Sequence, residues 1–166
     1  MPPIIPILVG NTSASSEASY GRLLAPYLAD STTLFIISSD FAHWGTRFRY
    51  TYYQPSSGPA QSLKSNAQAP TSPAIHESIE AVDMQCVEAA ENGSHEGWLE
   101  VLRQTGNTVC GRHPIGILLA AIEELKKQGV VQQEKGRLKF VRYERSSEVR
   151  RIDESSVSYC SGFAVL

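Results

Sequence analysis

The sequence has few cysteines, no long apolar run and no marked excess of one charge. Cys86, Cys110 and Cys160 are odd in number, widely spaced and without a CxxC pair. This argues against a disulfide framework or a cysteine-rich zinc module, and it favours a reducing compartment, most simply the cytoplasm. The net charge of −2 gives no indication of a nucleic-acid partner. The longest apolar runs, residues 4–9 and 34–37, are too short to span a bilayer, so no membrane partner is expected either.

What the sequence does contain is typical of a single α/β domain. Its 166 residues are 42% hydrophobic and 19% charged, as in ordinary globular proteins. Residues 4–9 and 33–38 predict two apolar strands, and residues 16–29 predict the amphipathic helix between them. A strand, helix and strand in this order are typical of a parallel sheet covered on both faces. We therefore predict a mixed, largely parallel sheet flanked by helices, occupying residues 1–166 as one domain.

The rest of the chain predicts one insertion followed mainly by helices. Residues 54–73 are rich in Ser, Pro, Gln, Ala and Gly, which indicates a flexible insertion. Helices are predicted over residues 74–92, after Ser94 and over residues 114–128, and strands over residues 138–143 and 157–165. His76 and His95 have polar neighbours in these helices, so we expect both at the surface.

Residues 107–114 surround a thiol with cationic groups. Cys110 precedes the helix predicted from Pro114, and the dipole of that helix, with Arg112 and a protonated His113, would favour a thiolate. A thiolate here could bind a soft metal or act as a nucleophile. The alternative is a buried structural thiol, which is also the interpretation we favour for Cys86 and Cys160.

Residues 38–45 carry Asp40 and His43 directly after the second predicted strand. The pair could be metal ligands, a general base with its orienting carboxylate, or groups that support a metal ligand. Alternatively, Asp40 caps the following turn and His43 packs beside Trp44. With Cys110 as nucleophile, the same residues could also form a hydrolase.

Residues 47–53 alternate cations with aromatic rings. Arg47 and Arg49 are interleaved with Phe48, Tyr50 and Tyr52. Such a run suits an anionic or aromatic ligand, including phosphotyrosine. The alternative is a solvated edge whose arginines lie along the surface.

Five stretches resemble the Memo family over nearly the whole chain. They are residues 6–10, 38–45 (SSDFAHWG), 47–53 (RFRYTYY), 107–116 (NTVCGRHPIG) and 153–159 (DESSVSY). The resemblance covers only the C-terminal portion of the family's fold, which is distantly similar to that of the class III extradiol dioxygenases, enzymes that use non-haem iron. It therefore implies a partial form of this fold.

The resemblance also implies a function. In the family, iron or copper is held by two histidines and one cysteine. Cys110 matches the cysteine, whereas the two histidines have no counterpart here. Asp40 and His43 would line the pocket as acid–base groups, and Arg112, His113, Arg47 and Arg49 would contact anionic ligands. We expect a metal-binding protein with a redox role linked to cell-motility signalling. A phosphotyrosine-binding adaptor without catalysis and an inactive truncated product remain as alternatives.

Overall fold

Four α-helices and five short strands form the fold of residues 3–166, the part of the chain that the computed structural model describes. The helices are α1 (Ala14–Leu28), α2 (Ile75–Asn92), α3 (His95–Thr105) and α4 (Arg112–Lys127). The strands are β1 (His43–Trp44), β2 (Tyr52–Tyr53), β3 (Gln61–Ser62), β4 (Lys139–Arg145) and β5 (Ser156–Phe163). Within residues 3–166, no helix combines the length and the apolar character needed to cross a membrane.

The sheets are small and antiparallel. One contains β1, β5 and β4 in that order, and the other pairs β2 with β3. The α/β class is confirmed, but the prediction of a largely parallel sheet is not supported. The two predicted strands at residues 4–9 and 33–38 lie outside any ladder, and Leu8 and Leu34 are 101% and 82% exposed. Apolar character favours a strand, but a strand forms only where a neighbour accepts its backbone hydrogen bonds. Neither segment has such a neighbour within residues 3–166.

The predicted helices and the two closing strands are present, with ends shifted by a few residues. The two histidines expected at the surface are buried, each with 8% exposure. His76 lies at the start of α2, and its Nδ1 is 3.1 Å from the carbonyl oxygen of Val149. His95 begins α3, and its Nε2 is 2.6 Å from a carboxylate oxygen of Glu17. Polar sequence neighbours were misleading here because segments distant in sequence cover both helix starts.

Residues 54–73 are attached to the domain at several points. β3 lies within this stretch and pairs with β2. Leu63 and Ala69 pack against a core cluster that contains Trp44, and the Tyr53 hydroxyl donates to the Pro73 carbonyl at 2.8 Å. The flexibility of the insertion stays a prediction.

The apolar core lies beneath residues 41–44. Phe41 belongs to a cluster with Cys86, Trp98 and Leu119, which come from α2, α3 and α4. Cys86 is therefore a core thiol, as predicted. Trp44 belongs to a second cluster, and its indole N–H donates to the Tyr52 carbonyl at 2.8 Å. The backbone that carries Asp40 and His43 is thus fixed by two large buried side chains, Phe41 between the two residues and Trp44 directly after them.

Helices α1 and α4 approach closely because small residues face each other. Gly21 of α1 lies against Ala120 and Ala121 of α4, and a Cβ at Gly21 would come within 2.8 Å of the Ala120 Cβ and of the Ala121 backbone nitrogen. Ala25, one turn further, is fully buried. Close backbone packing of this kind leaves no room for a larger side chain.

We expect Gly21→Ala to destabilise the domain by about 1–3 kcal/mol, because the backbone of α4 cannot yield as a flexible side chain could. Gly97→Ala in α3 is the matched control, since a Cβ there meets nothing closer than 3.4 Å. The control should be neutral or stabilising by up to about 1 kcal/mol, since alanine is the better helix former. Urea unfolding of both variants measures the difference, and equal free energies of unfolding would contradict the packing argument.

Candidate functional site

Two backbone segments lie side by side and bring together the residues singled out in the sequence. These site segments are residues 39–43 and residues 108–111. The Cys110 N–H donates to the Asp40 carbonyl at 3.1 Å, and the Asp40 N–H donates to the Cys110 Sγ at 3.0 Å. His43 is tied to the second segment as well. The structure therefore places Asp40, His43 and Cys110 at one pair of facing segments.

A glycine permits this close approach next to the thiol. The Gly111 N–H donates to the Ser39 Oγ at 3.0 Å. A Cβ at Gly111 would collide with the Ser39 side chain and lie 2.8 Å from the Ser38 carbonyl oxygen. The sequence Cys-Gly in this motif thus has a steric reason: the residue after the thiol must lack a side chain.

Thr108 orients the His43 ring. The backbone N–H of His43 donates to the Thr108 Oγ1 at 2.7 Å, and the ring Nδ1 of His43 lies 3.3 Å from the Thr108 carbonyl oxygen. A carbonyl can only accept, so Nδ1 carries the proton and the neutral ring keeps a lone pair on Nε2. That Nε2 is 3.6 Å from the Asp40 Oδ2, too far for a direct hydrogen bond. The arrangement suits a proton acceptor beside a carboxylate.

Cys110 is the accessible thiol of the three. It is exposed, whereas Cys86 is buried and Cys160 is partly buried. Burial raises the pKa of both the Cys86 and the Cys160 thiol to about 12. The Cys110 Sγ is hydrogen-bonded to the Asp40 N–H and lies 3.9 Å from the Ser39 Oγ. His43 is not among its hydrogen-bond partners, so the nucleophile–base contact of a cysteine hydrolase is not formed.

The four predicted anion-binding residues fall into separate places. Arg112 is exposed at the first position of α4. The His113 ring turns away towards α1, where its Nδ1 lies 2.6 Å from a Glu17 oxygen. Arg47 is exposed, with its guanidinium 4.4 Å from the centroid of the Phe48 ring, and Arg49 is exposed beside it. Arg47 and Arg49 are thus exposed within one short segment, whereas His113 is directed at Glu17.

A buried carboxylate that the sequence analysis missed anchors the start of α4. Glu17 of α1 is fully buried. One of its oxygens lies 2.6 Å from the His95 Nε2, and the other lies 2.6 Å from the His113 Nδ1. The Thr12 hydroxyl also donates to it, at 2.9 Å. A glutamate in a first helical turn is typical of a helix surface, and no pattern in the sequence pairs Glu17 with histidines 78 and 96 residues away.

These partners decide the ionisation of Glu17. Burial is the largest single influence and opposes the charged form, but the hydrogen bonds from His95, His113 and Thr12 together outweigh it. The pKa of the Glu17 carboxyl is therefore lower than its ordinary value. A lowered pKa means that the charged carboxylate stabilises the fold and that protonation removes this stabilisation.

A second buried carboxylate lies beneath the site. Asp83 of α2 is fully buried, and its oxygens accept hydrogen bonds from the Ala42 N–H at 3.2 Å, the Asn107 amide at 2.8 Å and the Tyr143 hydroxyl at 3.0 Å. A signal for it was present in the sequence. Asp83 follows Ile79 by four residues and so lies on the apolar face of α2, where a carboxylate needs buried partners.

The two site segments carry side chains of metal-binding types but no complete set of metal ligands. Within residues 3–166, no three His, Cys, Asp or Glu side chains are arranged to hold a metal ion. Cys110, His43 and Asp40 nevertheless provide an exposed sulfur, an imidazole with a free nitrogen and a carboxylate at one place. By chemistry they suit iron or copper. By number and geometry they would need further ligands.

Comparison with known proteins decides the family. The Memo-like protein family matches residues 3–163 of this chain, a range that includes both site segments. The chain belongs to the Memo family. The family membership expected from the sequence motifs is therefore confirmed.

Individual Memo relatives are longer than this chain. The chain is 43% identical to Protein MEMO1 of Danio rerio over 163 residues, which cover 98% of the chain and 48% of the relative. For Protein MEMO1 of Homo sapiens the identity is 42% over 159 residues, covering 96% and 47%. For the MEMO1 family protein MHO1 of Saccharomyces cerevisiae it is 34% over 182 residues, covering 98% and 52%. The chain thus spans about half the length of these relatives.

We expect Glu17→Gln to destabilise the domain by about 1–3 kcal/mol near neutral pH, because the glutamine amide would face a histidine N–H and leave a buried donor unpaired. Because the pKa of Glu17 is lowered, the wild-type advantage is complete above about pH 4.5, the value for an ordinary glutamate, and it shrinks as the pH falls further. Urea unfolding at several pH values measures this difference.

Glu88→Gln, on the exposed face of α2, is the control for removing a carboxylate charge. Its free energy of unfolding should stay close to that of the wild type across the same pH range. A wild-type advantage over Glu17→Gln that persisted unchanged into strong acid would contradict the ionised cluster.

Proposed function

We propose that this Memo-family chain contributes one side of an iron or copper site, with the Cys110 thiolate as the metal ligand. The observation that carries the proposal is the pairing of the exposed Cys110 Sγ with the Asp40 N–H at 3.0 Å, in a segment that also holds His43. The exposed sulfur is accessible to a metal, and its bond to the Asp40 N–H fixes its position against the segment that carries His43.

The state of His43 supports the same proposal. Histidines that bind or serve a metal usually donate their second ring N–H to a carbonyl or carboxylate, which fixes the free nitrogen. The His43 Nδ1 has such a partner in the Thr108 carbonyl. Its Nε2 is therefore available either to the metal or to a proton moved near the Asp40 carboxylate.

The chain's own residues would hold the metal and handle protons, and the metal when bound would supply one-electron redox chemistry. Thiolate and imidazole ligands suit copper and iron. One thiolate with one imidazole or carboxylate holds a metal more weakly than three protein ligands do. We propose that the remaining ligands come from residues other than those of this chain, consistent with relatives of about twice its length. The three cysteines are free, which supports a reducing location such as the cytoplasm, and a link to motility signalling belongs to the same proposal.

We expect Cys110→Ser to weaken binding of Cu(I) or Fe(II) to this chain about tenfold or more, because the hydroxyl does not ionise as the thiol does. Competition with a chromophoric chelator under anaerobic, reducing conditions measures the affinity. Cys160→Ser is the matched control and should bind as the wild type does. A Cys110→Ser variant that binds as tightly as the wild type would show that the ligand assignment is wrong.

A second function is favoured by the arginines beside the site. The Arg47 guanidinium stacks on the Phe48 ring, and that ring meets His43 edge to face at 5.3 Å. Arg49 is also exposed. Two exposed guanidinium groups with an aromatic surface suit a phosphotyrosine side chain, which presents both a ring and a dianion. We propose phosphotyrosine binding as the alternative function, without catalysis.

We expect the double variant Arg47→Gln, Arg49→Gln to weaken binding of a phosphotyrosine peptide at least fivefold at low salt, where ionic contacts are strongest. Arg142→Gln on β4 is the control, because Arg142 is an exposed arginine paired with Glu144. Fluorescence anisotropy with phosphorylated and unphosphorylated peptides measures the affinities. If no phosphotyrosine peptide binds at low salt, the adaptor function is contradicted. If the chain also binds no metal, the alternative that remains is an inactive partial product.

A further inference from the structure

We propose that Asp83 is a positioning residue, whose buried carboxylate holds the two site segments in register from beneath. The inference deepens the proposed function by naming what keeps Cys110, Asp40 and His43 together. The inference rests on that function only where it says what the positioned site is for. The hydrogen bonds themselves do not depend on a metal.

The contacts of Asp83 reach both halves of the site. One carboxylate oxygen accepts from the Ala42 N–H at 3.2 Å and from the Asn107 amide at 2.8 Å. Ala42 immediately precedes His43, and Asn107 immediately precedes Thr108. His43 and Thr108 are the two residues that bond to each other across the site. A single oxygen thus fixes the distance between the segments one residue away from the His43–Thr108 contact.

The other oxygen is hydrogen-bonded to a side chain of the sheet. It accepts from the Tyr143 hydroxyl at 3.0 Å, and that hydroxyl lies 3.1 Å from the Ser158 Oγ on β5. Ser158 in turn bonds through its backbone to Phe41 and Ala42. The carboxylate is therefore the centre of a network that joins α2, β4, β5 and both site segments.

Energetics favour a positioning role over simple packing. The hydrogen-bond partners of Asp83 are neutral groups, and burial raises the pKa of its carboxyl above the ordinary value although these hydrogen bonds oppose the rise. A buried carboxylate without a cation costs free energy that an apolar residue on the same face of α2 would not. Its cost is offset where polar groups of the site would otherwise be left unpaired. Ala42 and Asn107 are both buried, at 1% and 4% exposure, so bulk water does not reach the donors that the carboxylate pairs.

The network predicts that the hydrogen-bonding geometry of residue 83 holds the site segments together and that its negative charge is not required. In Asp83→Asn, the amide oxygen can accept from Ala42 and Asn107. The amide N–H₂ can donate to the Tyr143 oxygen, whose own proton then goes to the Ser158 Oγ. All bonds survive with the charge removed. In Asp83→Ala, the Ala42 N–H and the Asn107 amide lose their acceptor.

Amide hydrogen exchange, followed by NMR in the metal-free protein, tests the inference. In Asp83→Ala the Asp40 and His43 amides, which donate across the site, should exchange about tenfold faster relative to the Leu119 amide in α4. In Asp83→Asn they should stay within about threefold of the wild type. The nitrogen shifts of the His43 ring should show the Nδ1–H tautomer in wild type and Asp83→Asn, and a tautomer mixture in Asp83→Ala.

Two further variants keep the test informative if Asp83→Ala fails to fold. Asn107→Ala removes one link between Asp83 and the site and should also accelerate the Asp40 and His43 amides. Tyr143→Phe removes a hydrogen bond on the far side of Asp83 and should leave them within about threefold. The inference is overturned if the Leu119 amide accelerates as much as the site amides. It is equally overturned if Asp83→Asn behaves as Asp83→Ala, or if Tyr143→Phe loosens the site.

The result is separable from the proposed function. If the wild-type chain binds no metal while the site amides respond as described, the metal site is contradicted and the positioning role stays intact. Unchanged site amides in Asp83→Ala contradict the positioning role whether or not metal binds.

Discussion

The pairing of residues 39–43 with residues 108–111 is the contact on which the chemistry of this protein depends. These segments are about seventy residues apart in sequence, and Phe41 of one belongs to the same core cluster as Val109 of the other. Reciprocal bonds between Asp40 and Cys110 fix one end of the pair, and Thr108 fixes His43 at the other. On the opposite side, backbone bonds to Ser158 attach the first segment to β5. The site is therefore built from backbone geometry, with the reactive side chains placed on it.

Two buried carboxylates support this arrangement, and their partners give them opposite properties. Glu17 meets two imidazoles, so its pKa is lowered, and it ties the starts of α3 and α4 to α1. The donors around Asp83 are neutral and do not outweigh its burial, so its pKa is raised, and it ties α2 to the site. Both are fully buried. Burial alone therefore does not decide whether a carboxylate is charged; the donors directed at it do.

The exposed apolar surface is the other constraint on how this chain acts. Ile4, Leu8, Leu34 and Ile36 are each more than four-fifths exposed, in segments that lie outside any ladder of residues 3–166. Tyr20, Leu23 and Tyr27 add an exposed apolar stripe on α1. Contiguous apolar surface with free backbone groups is typical of surfaces that other polypeptide covers. Residues 33–38 lead directly into the first site segment, and the Memo relatives are about twice as long as this chain.

Local sequence determined much of this protein. Ser13, Ser94 and the glycines after α2 and α3 mark helix ends, and apolar periodicity places the helices within a few residues, because caps and amphipathic faces are local properties. The motifs around Asp40, His43 and Cys110 also identified the family, and with it the grouping of these residues. Tertiary structure alone decided the rest. It left the two most apolar segments without strand partners, and it buried His76 and His95. It also turned His113 towards Glu17 and placed Asp83 beneath the site. Each of these outcomes depends on which distant segment meets a side chain, and that is a property of the packed chain, which no window of neighbouring residues contains.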